Sequence, residues 1–279
     1  MDGEVRGTVE QVFSRAVNLF IPEQNTLYTL LSPSCDNAPN SCRIALEHCD
    51  KFFRPGEQVI FYKRGITVGH DKFIDFSRCK PWLPDALCFK DSRCWQSIAD
   101  LINESIKDSA SLFYYQGPNA FYQEIARLLQ VYRGDLLQSL KIGDDTAITT
   151  AGINLIGLGI GLTPTGDDYL TGLSAILFIP DSPGRRYLDV FIDIQESGKE
   201  KTTLLSAITL REAISQRYRE VIHRFIFQIN QNDSQNIQQV INEIKRIGSS
   251  SGCDMLYGMA DALALTAYFG GKNVNQDCD

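Results

Sequence analysis

Two copies of one ten-residue motif, at 163–172 and 249–258, constrain the fold of this chain more than any other feature. Aligned without gaps, they share the pattern hydroxyl, any residue, hydroxyl, Gly, any residue, Asp, any residue, Leu, any residue, Gly. Each copy follows a glycine and opens an apolar segment with helical spacing. The glycine that ends each copy weakens helix propensity, which indicates either close packing of the two helices or room for a ligand. The fold must therefore accommodate two helix N-termini that share one sequence pattern.

The residues around the first copy allow two interpretations. Three glycines between 157 and 161 form a turn whose backbone can adopt conformations closed to other residues. Thr165 is predicted to be the helix N-cap, with Asp168 at capping-box spacing, so that Asp168 and its counterpart Asp254 would only stabilise helix ends. Alternatively, the free amides and dipoles of two paired helix N-termini form a site for an anion or a metal–phosphate complex.

Other kinds of site fit the sequence poorly. Segment 157–162 lacks the third glycine of Gly-x-Gly-x-x-Gly, and the chain has no Gly-Lys-Ser/Thr sequence of a P-loop. No Ser-His-Asp or Cys-His signature stands out, and no organic cofactor is evident. With three histidines and no Cys-x-x-Cys pair, a zinc site is not expected. The eight cysteines are predicted to be reduced thiols that serve as small apolar residues.

Composition limits the possible partners and location. The formal net charge of −7 argues against nucleic acid as a main partner, because phosphate backbones bind basic surfaces. The N-terminus shows no apolar signal segment, and no apolar run is long enough to span a bilayer. We therefore expect a cytoplasmic protein with no membrane contact.

The hydrophobic pattern predicts an α+β protein, with an N-terminal antiparallel β barrel or sandwich at 1–88 and a mostly α-helical domain at 89–279. The predicted strands are 5–9, 12–19, 26–31, 43–47, 58–62, 65–68 and 72–75. The predicted helices are 95–106, 119–131, 134–140, 166–179, one or two within 202–227, 234–247 and 252–269, with segment 146–156 leading into the glycine turn and a frayed tail at 272–279.

The two motifs resemble the signatures of the AllH family. Segments 14–19 (Ser-Arg-Ala-Val-Asn-Leu), 38–41 (Ala-Pro-Asn-Ser) and 202–211 resemble further patterns of that family, so that the resemblance extends over most of the chain. Three positions depart from it. Ile160 replaces a usual proline, Ser249 a usual histidine and Gln216 a usual glycine.

The resemblance implies a carbamoyltransferase that acts as part of a complex in anaerobic allantoin use, a branch of purine catabolism. Oxamate carbamoyltransferase interconverts oxalurate plus phosphate with oxamate plus carbamoyl phosphate. The partners implied are the other subunits of the complex, including one that resembles acyl-CoA synthetases. The substrates are small anions, which suit helix N-termini.

The site residues are predicted from the motifs and the resemblance together. Asp167, Asp168 and Asp254 are expected to bind Mg²⁺ or to orient the acceptor amide, and Arg211 to neutralise charge on the phosphate. These four are the predicted catalytic residues, and the first three are the predicted metal ligands. The predicted substrate-binding residues are Gly159, Gly161, Thr163, Thr165, Gly166, Thr203, Ser206, Ser250, Ser251, Gly252 and Asn18.

Two other functions stay open at this level. The chain could be a non-catalytic scaffolding or binding subunit, or a free-standing Mg²⁺-dependent phosphoryl or amide hydrolase. Turnover by the isolated chain would separate these possibilities.

Overall fold

The computed structural model of the chain describes residues 4–89, 95–231 and 233–274. Contacts divide the chain into two units, Met1–Asp85 and Ala86–Asp279. The first unit carries the strands and the second carries the helices, which confirms the predicted α+β class. Within the described ranges, no helix is both long enough and apolar enough to cross a membrane.

The first unit is a curled sheet of seven strands in the order β4-β3-β2-β1-β5-β6-β7. The strands are β1 Val5–Val12, β2 Ala16–Ile21, β3 Thr26–Leu31, β4 Ser41–Arg43, β5 Gln58–Tyr62, β6 Gly65–Val68 and β7 Lys72–Asp75. Neighbouring strands run antiparallel except β3 and β4, which pair in parallel. The sheet is therefore mixed. Segment 32–40 returns the chain to the starting end of β3, so that β4 runs beside β3 in the same direction.

Alternating side chains of the sheet form the core of this unit. Val17 and Leu19 of β2 and Val59 of β5 are fully buried, together with Ile66 and Val68 of β6. Alternation of this kind places one face of each strand in the core, which is the period-two signal in the sequence. The second strand begins at Ala16, later than predicted, because Phe13 to Ala16 turns the chain through the bond from the Phe13 amide to the Ala16 carbonyl.

The second unit is helical. Within the described ranges its α-helices are α1 Trp95–Ile106, α2 Ala120–Ile142, α3 Asp145–Leu155, α4 Thr165–Leu177, α5 Leu188–Gly198, α6 Leu204–Ile214, α7 Glu220–Gln231, α8 Ser234–Ile244 and α9 Ser251–Val274. Their apolar faces meet in one core centred on α4, all of whose residues are buried.

Helices α2, α5 and α9 differ from the sequence prediction, and α3 was predicted only as a segment that leads into the glycine turn. Helix α2 is continuous where two helices were predicted, because Gly134 lies exposed on its surface and interrupts nothing. Helix α5 was not predicted, although Phe191 and Ile194 bury a helical stripe. Helix α9 continues to Val274, whereas the glycines at 270–271 were predicted to end it at Phe269.

Helices α4 and α9 cross at the two glycines that end the motif copies. A Cβ atom at Gly172 would lie 1.9 Å from the carbonyl oxygen of Met255, and one at Gly258 would lie 2.0 Å from that of Tyr169. Tyr169 and Met255 occupy the same motif position, so the two contacts are reciprocal. The two copies are therefore related by a pseudo-two-fold axis, and these glycines serve close backbone packing rather than leaving room for a ligand.

The other shared glycine of each copy packs against the preceding helix. A Cβ atom at Gly166 would lie 2.0 Å from the carbonyl oxygen of Leu155, the last residue of α3. At Gly252 it would lie 1.8 Å from that of Ile244, the last residue of α8. Each repeat is thus a helix pair, α3 with α4 and α8 with α9, held together by backbone contact.

We predict that Gly258→Ala destabilises the protein by about 3 kcal/mol or more, since the added methyl group meets a backbone that cannot move aside cheaply. Gly134→Ala is the matched control, because it changes a helical glycine that has no atom within 4 Å of the new methyl. It should stabilise the protein by about 0.5–1 kcal/mol through helix propensity. Denaturant unfolding of the three proteins measures both effects, and equal midpoints for Gly258→Ala and wild type would contradict the packing described.

Candidate active site

The first turns of α4 and α9 are built alike, and α4 has no capping box. The carbonyl of Pro164 accepts the amides of Asp167 and Asp168 at 3.0 and 3.1 Å, and that of Ser250 accepts those of Cys253 and Asp254 at 2.8 and 3.0 Å. Pro164 is therefore the N-cap of α4, and no side chain caps this helix. The prediction that Thr165 caps the helix is wrong, because Thr165 is already its first helical residue.

The amides expected to bind an anion are already engaged in both helices. The Gly166 amide donates to the carbonyl of Leu158 at 2.8 Å, and the Gly252 amide donates to the carbonyl of Ile247 at 3.0 Å. The glycine turn also folds over the start of α4, since a Cβ at Gly159 would lie 2.4 Å from the Thr165 nitrogen. Backbone amides at Gly166 and Gly252 are thus used within the fold rather than turned toward a ligand.

The two shared aspartates form a buried pair. Asp168 is 3 % exposed and Asp254 is 0 % exposed. Within the described part of the chain, Oδ2 of each carboxyl has no hydrogen-bond partner. Buried polar atoms are normally paired, so two orphaned oxygens on neighbouring carboxyls mark a place where a further group can bind.

Hydroxyl groups cross from one repeat to the other around this pair. Hydrogen bonds from Ser251 and Thr163 favour the ionised form of Asp168, and one from Thr165 favours that of Asp254. The Oγ1 of Thr163 lies 2.9 Å from the Oγ of Ser251. Because Ser251 and Thr165 hold the same motif position, the pseudo-two-fold relation extends into the site.

Burial dominates the electrostatics of the pair. It raises the pKa of both carboxyls to about 7, from an ordinary value of 3.8. The charge of Asp254 adds to the rise at Asp168, while the neighbouring hydroxyls oppose it. Near neutral pH each carboxyl is therefore divided between its acid and its ionised form, as general acid–base chemistry requires.

Asp167 has a different role. Its Oδ1 accepts the Gly157 amide at 3.0 Å, and its Oδ2 accepts the hydroxyls of Thr202 and Ser206 at 2.5 and 2.9 Å. Burial raises the pKa of this carboxyl, and these three bonds oppose the rise. Asp167 thus ties the glycine turn to the start of α6.

The predicted three-aspartate metal site is not formed by these side chains alone. Across the residues that the structure describes, no three His, Cys, Asp or Glu side chains are grouped so as to hold a metal ion. Asp168 and Asp254 remain a two-carboxylate set, and Mg²⁺ is commonly bound through one or two carboxylates together with substrate phosphates.

The other predicted residues have varied surroundings. Thr203 caps α6 through the Ser206 amide at 3.1 Å and also donates to the Leu162 carbonyl. Arg211 lies in the last turn of α6, with its guanidinium 3.9 Å from the Glu212 carboxylate. Asn18 belongs to β2 of the first unit, where it donates to Gln11 and accepts from Thr29.

The glycine turn and the start of the second motif are closer to solvent. Gly161 is exposed, with a φ of 87° and no atom within 4 Å of a would-be Cβ. Thr163, Ser250 and Ser251 are half-buried. These hydroxyl residues therefore lie between solvent and the carboxyl pair, and a hydrogen bond from Ser250 also favours the ionised form of Asp254.

Sequence reasoning missed Ser111 and a buried cluster beside the pair. The Oγ of Ser111 donates to Oδ1 of Asp254 at 2.5 Å. Arg133 binds both oxygens of Asp261 at 2.6 and 2.7 Å, and Tyr169 donates to the same carboxylate at 2.8 Å. The Arg133 guanidinium also lies 4.4 Å from the ring centre of Tyr257. Asp261 follows Asp254 by two helical turns, so the sequence spacing alone could have placed the two carboxyls on the same face of α9. No sequence pattern connects Ser111 or Arg133 with the motifs.

Most of the chain matches models of one family. Residues 155–263, which include both motifs, match the model described as oxamate carbamoyltransferase subunit AllH, and residues 1–81 match the AllH family N-terminal domain. The chain therefore belongs to the AllH family, as the motifs predicted. The word "subunit" in that description implies a multi-subunit complex. No solved structure matches the chain.

We predict that stability falls as pH rises from about 5 to 8. In the folded state Asp168 and Asp254 keep their protons up to about pH 7, whereas the unfolded chain releases them near 3.8. Their contribution is therefore complete below pH 4 and is lost as pH rises through 7, on the order of a few kcal/mol. The Asp168→Asn/Asp254→Asn double variant should unfold with a clearly smaller pH dependence in denaturant titrations at pH 5, 6, 7 and 8. Identical slopes for the two proteins would refute the assignment, with the exposed Asp193→Asn as control.

Asp167→Asn should destabilise the protein at every pH in that range, by about 1–3 kcal/mol. The amide group of asparagine places a donor against the donors that now bind the Asp167 carboxylate, so at least one hydrogen bond is replaced by a clash of donors. Thermal and denaturant unfolding measure the loss. Wild-type stability in this variant would show that the link between the glycine turn and α6 is dispensable.

Proposed function

We propose that this chain is a subunit of a carbamoyltransferase complex of the oxamate carbamoyltransferase type, and that Asp168 and Asp254 bind its small anionic substrate. One observation carries the proposal: two buried carboxyls, each with an oxygen that has no hydrogen-bond partner among the described residues, meet at paired helix N-termini inside the segment that matches the family model. Both motifs lie within residues 155–263, the segment that matches the family model, and this supports the proposal.

An acidic pair can bind an anion in two ways. In its protonated form a carboxyl donates a hydrogen bond, and the positive ends of two helix dipoles favour the negative charge. In their ionised form Asp168 and Asp254 would hold Mg²⁺, which supplies positive charge to a phosphate. The two modes have opposite pH dependences, because the first needs the protons that the second must lose.

The same pair is suited to the proton transfers of carbamoyl exchange. When phosphate oxygen attacks the ureido carbonyl of oxalurate, the carbon–nitrogen bond to the oxamate nitrogen breaks and that nitrogen takes up a proton. A carboxyl with a pKa of about 7 can supply this proton, and its ionised form can remove it in the reverse direction. We assign these steps to Asp168 and Asp254, with Thr163 and Ser251 orienting the reacting groups.

Arg211 and the partner subunits complete the proposal. Arg211 would neutralise phosphate charge, and the complex would include a subunit that resembles acyl-CoA synthetases. A non-catalytic scaffolding subunit is the competing function, and it predicts no response of the isolated chain to any substrate. A free-standing hydrolase predicts turnover without partners.

Thermal melts of the isolated chain test the site. We expect phosphate, carbamoyl phosphate or oxamate at millimolar concentration to raise the melting temperature, because a ligand that binds the folded state stabilises it by mass action. The shift should be lost in Asp168→Asn and in Asp254→Asn but kept in Asp193→Asn. Melts at pH 6 and pH 8, with and without Mg²⁺, identify the mode: a larger shift at pH 6 without metal indicates protonated carboxyls, and a metal-dependent shift at pH 8 indicates a magnesium complex.

Two results would contradict the proposal. No shift with any of these anions would favour the scaffolding function. A shift that both aspartate variants retain would place the anion elsewhere.

A further inference from the structure

A cavity of about 850 Å³ lies within the first unit. One side is the sheet, through β2, β3 and β5, and the other is the segment 76–82 that follows β7. Its volume is within the range of small-molecule binding sites. Neither the motifs nor the proposed function uses it.

Aromatic side chains form much of its wall. Tyr28 and Phe61 lie with their ring centres 5.6 Å apart at 51°, and Phe76 and Trp82 face the cavity from the covering segment. All four are half-buried. Leu19, Leu30 and Ile66 supply a buried apolar floor. Such walls suit a flat ring.

Basic side chains line the same cavity. Arg43, Arg78 and Lys80 are exposed and, in the part of the chain described, none of them forms an ion pair. The acidic residue of the lining, Asp75, has its carboxylate bound by the amide and hydroxyl of Ser77, both at 2.8 Å. The hydrogen bonds from Ser77 lower the pKa of that carboxyl, and the charge of Arg78 adds to the effect. In a chain with a net charge of −7, three such cations at one cavity favour an anionic ligand.

The covering segment contacts the sheet unit through Phe76 and Cys79. The Phe76 amide donates to the Arg64 carbonyl at 2.6 Å, and the Cys79 amide donates to the Phe76 carbonyl at 3.0 Å. The Sγ atoms of Cys79 and Cys42, the latter in β4, lie 3.7 Å apart. The cavity is therefore a feature of an ordered segment packed on the sheet.

We propose that this cavity binds a nucleoside phosphate, with the base against Tyr28, Phe61 and Trp82 and the phosphates at Arg78, Lys80 and Arg43. A flat ring joined to a multiply charged anion matches both walls at once. The volume accommodates a nucleotide with a sugar and more than one phosphate. The site does not depend on the function proposed for Asp168 and Asp254.

Calorimetric titration of the full chain with ADP tests the proposal, with adenosine and pyrophosphate as separate probes of the ring and the anion. We expect ADP to bind at least tenfold more tightly than either probe. The Arg78→Ala/Lys80→Ala variant should weaken ADP at least tenfold and leave adenosine unchanged, while Trp82→Ala should weaken both. Arg6→Ala is the matched control, because Arg6 follows the cavity residue Val5 in β1 and its side chain points to the opposite face of the sheet. Melting curves confirm that each variant is folded.

Three results would overturn the proposal. The first is no heat with ADP at millimolar concentration. The second is ADP binding that Arg78→Ala/Lys80→Ala and Trp82→Ala both leave unchanged. The third is that pyrophosphate binds as tightly as ADP and that Trp82→Ala does not weaken its binding. The cavity would then bind an anion without recognising a base. Asp168→Asn should leave ADP binding intact, which separates this result from the test of the carboxyl pair.

Discussion

The contact of two helix backbones at Gly172 and Gly258 determines the arrangement of the helical unit. With any side chain at either position, α4 and α9 would have to separate, since a methyl group would already lie about 2 Å from a carbonyl oxygen of the opposite helix. The reciprocal contacts set both the distance between the helices and their relative register. Because Asp168 and Asp254 precede these glycines by one helical turn, the register that joins the glycines also brings the carboxyls together.

The same close packing explains the unusual chemistry of the pair. Helices that approach so closely exclude water from the space beside them, and a carboxylate without water is expensive to ionise. The fold does not compensate fully with hydrogen bonds, since one oxygen of each carboxyl has no partner within the described residues. The unfavourable ionisation raises the pKa of both carboxyls, and its cause is the exclusion of water by the glycines and apolar residues packed around the site.

The sequence predicts those parts of this structure that depend on local pattern. The alternation of apolar and polar residues predicted β3, β5, β6 and β7 with their observed bounds, and the helical spacing of apolar residues predicted those of α1. The motif copies predicted that two like helix starts exist, and they placed Asp168 and Asp254 at them. Contacts between residues far apart in the sequence leave no pattern in either local segment, so they were not predicted. Ser111 reaches Asp254 from a distant segment, and the parallel pairing of β4 depends on how a loop returns. The engagement of the first-turn amides could not be foreseen either, because their acceptors lie in the turns of each repeat.

The two motif copies differ at one position that affects the site, since Asp167 of the first copy is replaced by Cys253 in the second. Position five of the motif is Asp167 in the first copy and Cys253 in the second, so that α6 is attached to the first repeat, while Ser111 donates to the aspartate of the second. The two carboxyls therefore have different neighbours although their backbones are equivalent. A molecule bound between them would therefore meet different groups at its two ends, and the difference would come from Ser111 and the start of α6, which lie outside the motifs. The repeat places two acids in equivalent positions, and the surrounding segments make their environments unequal.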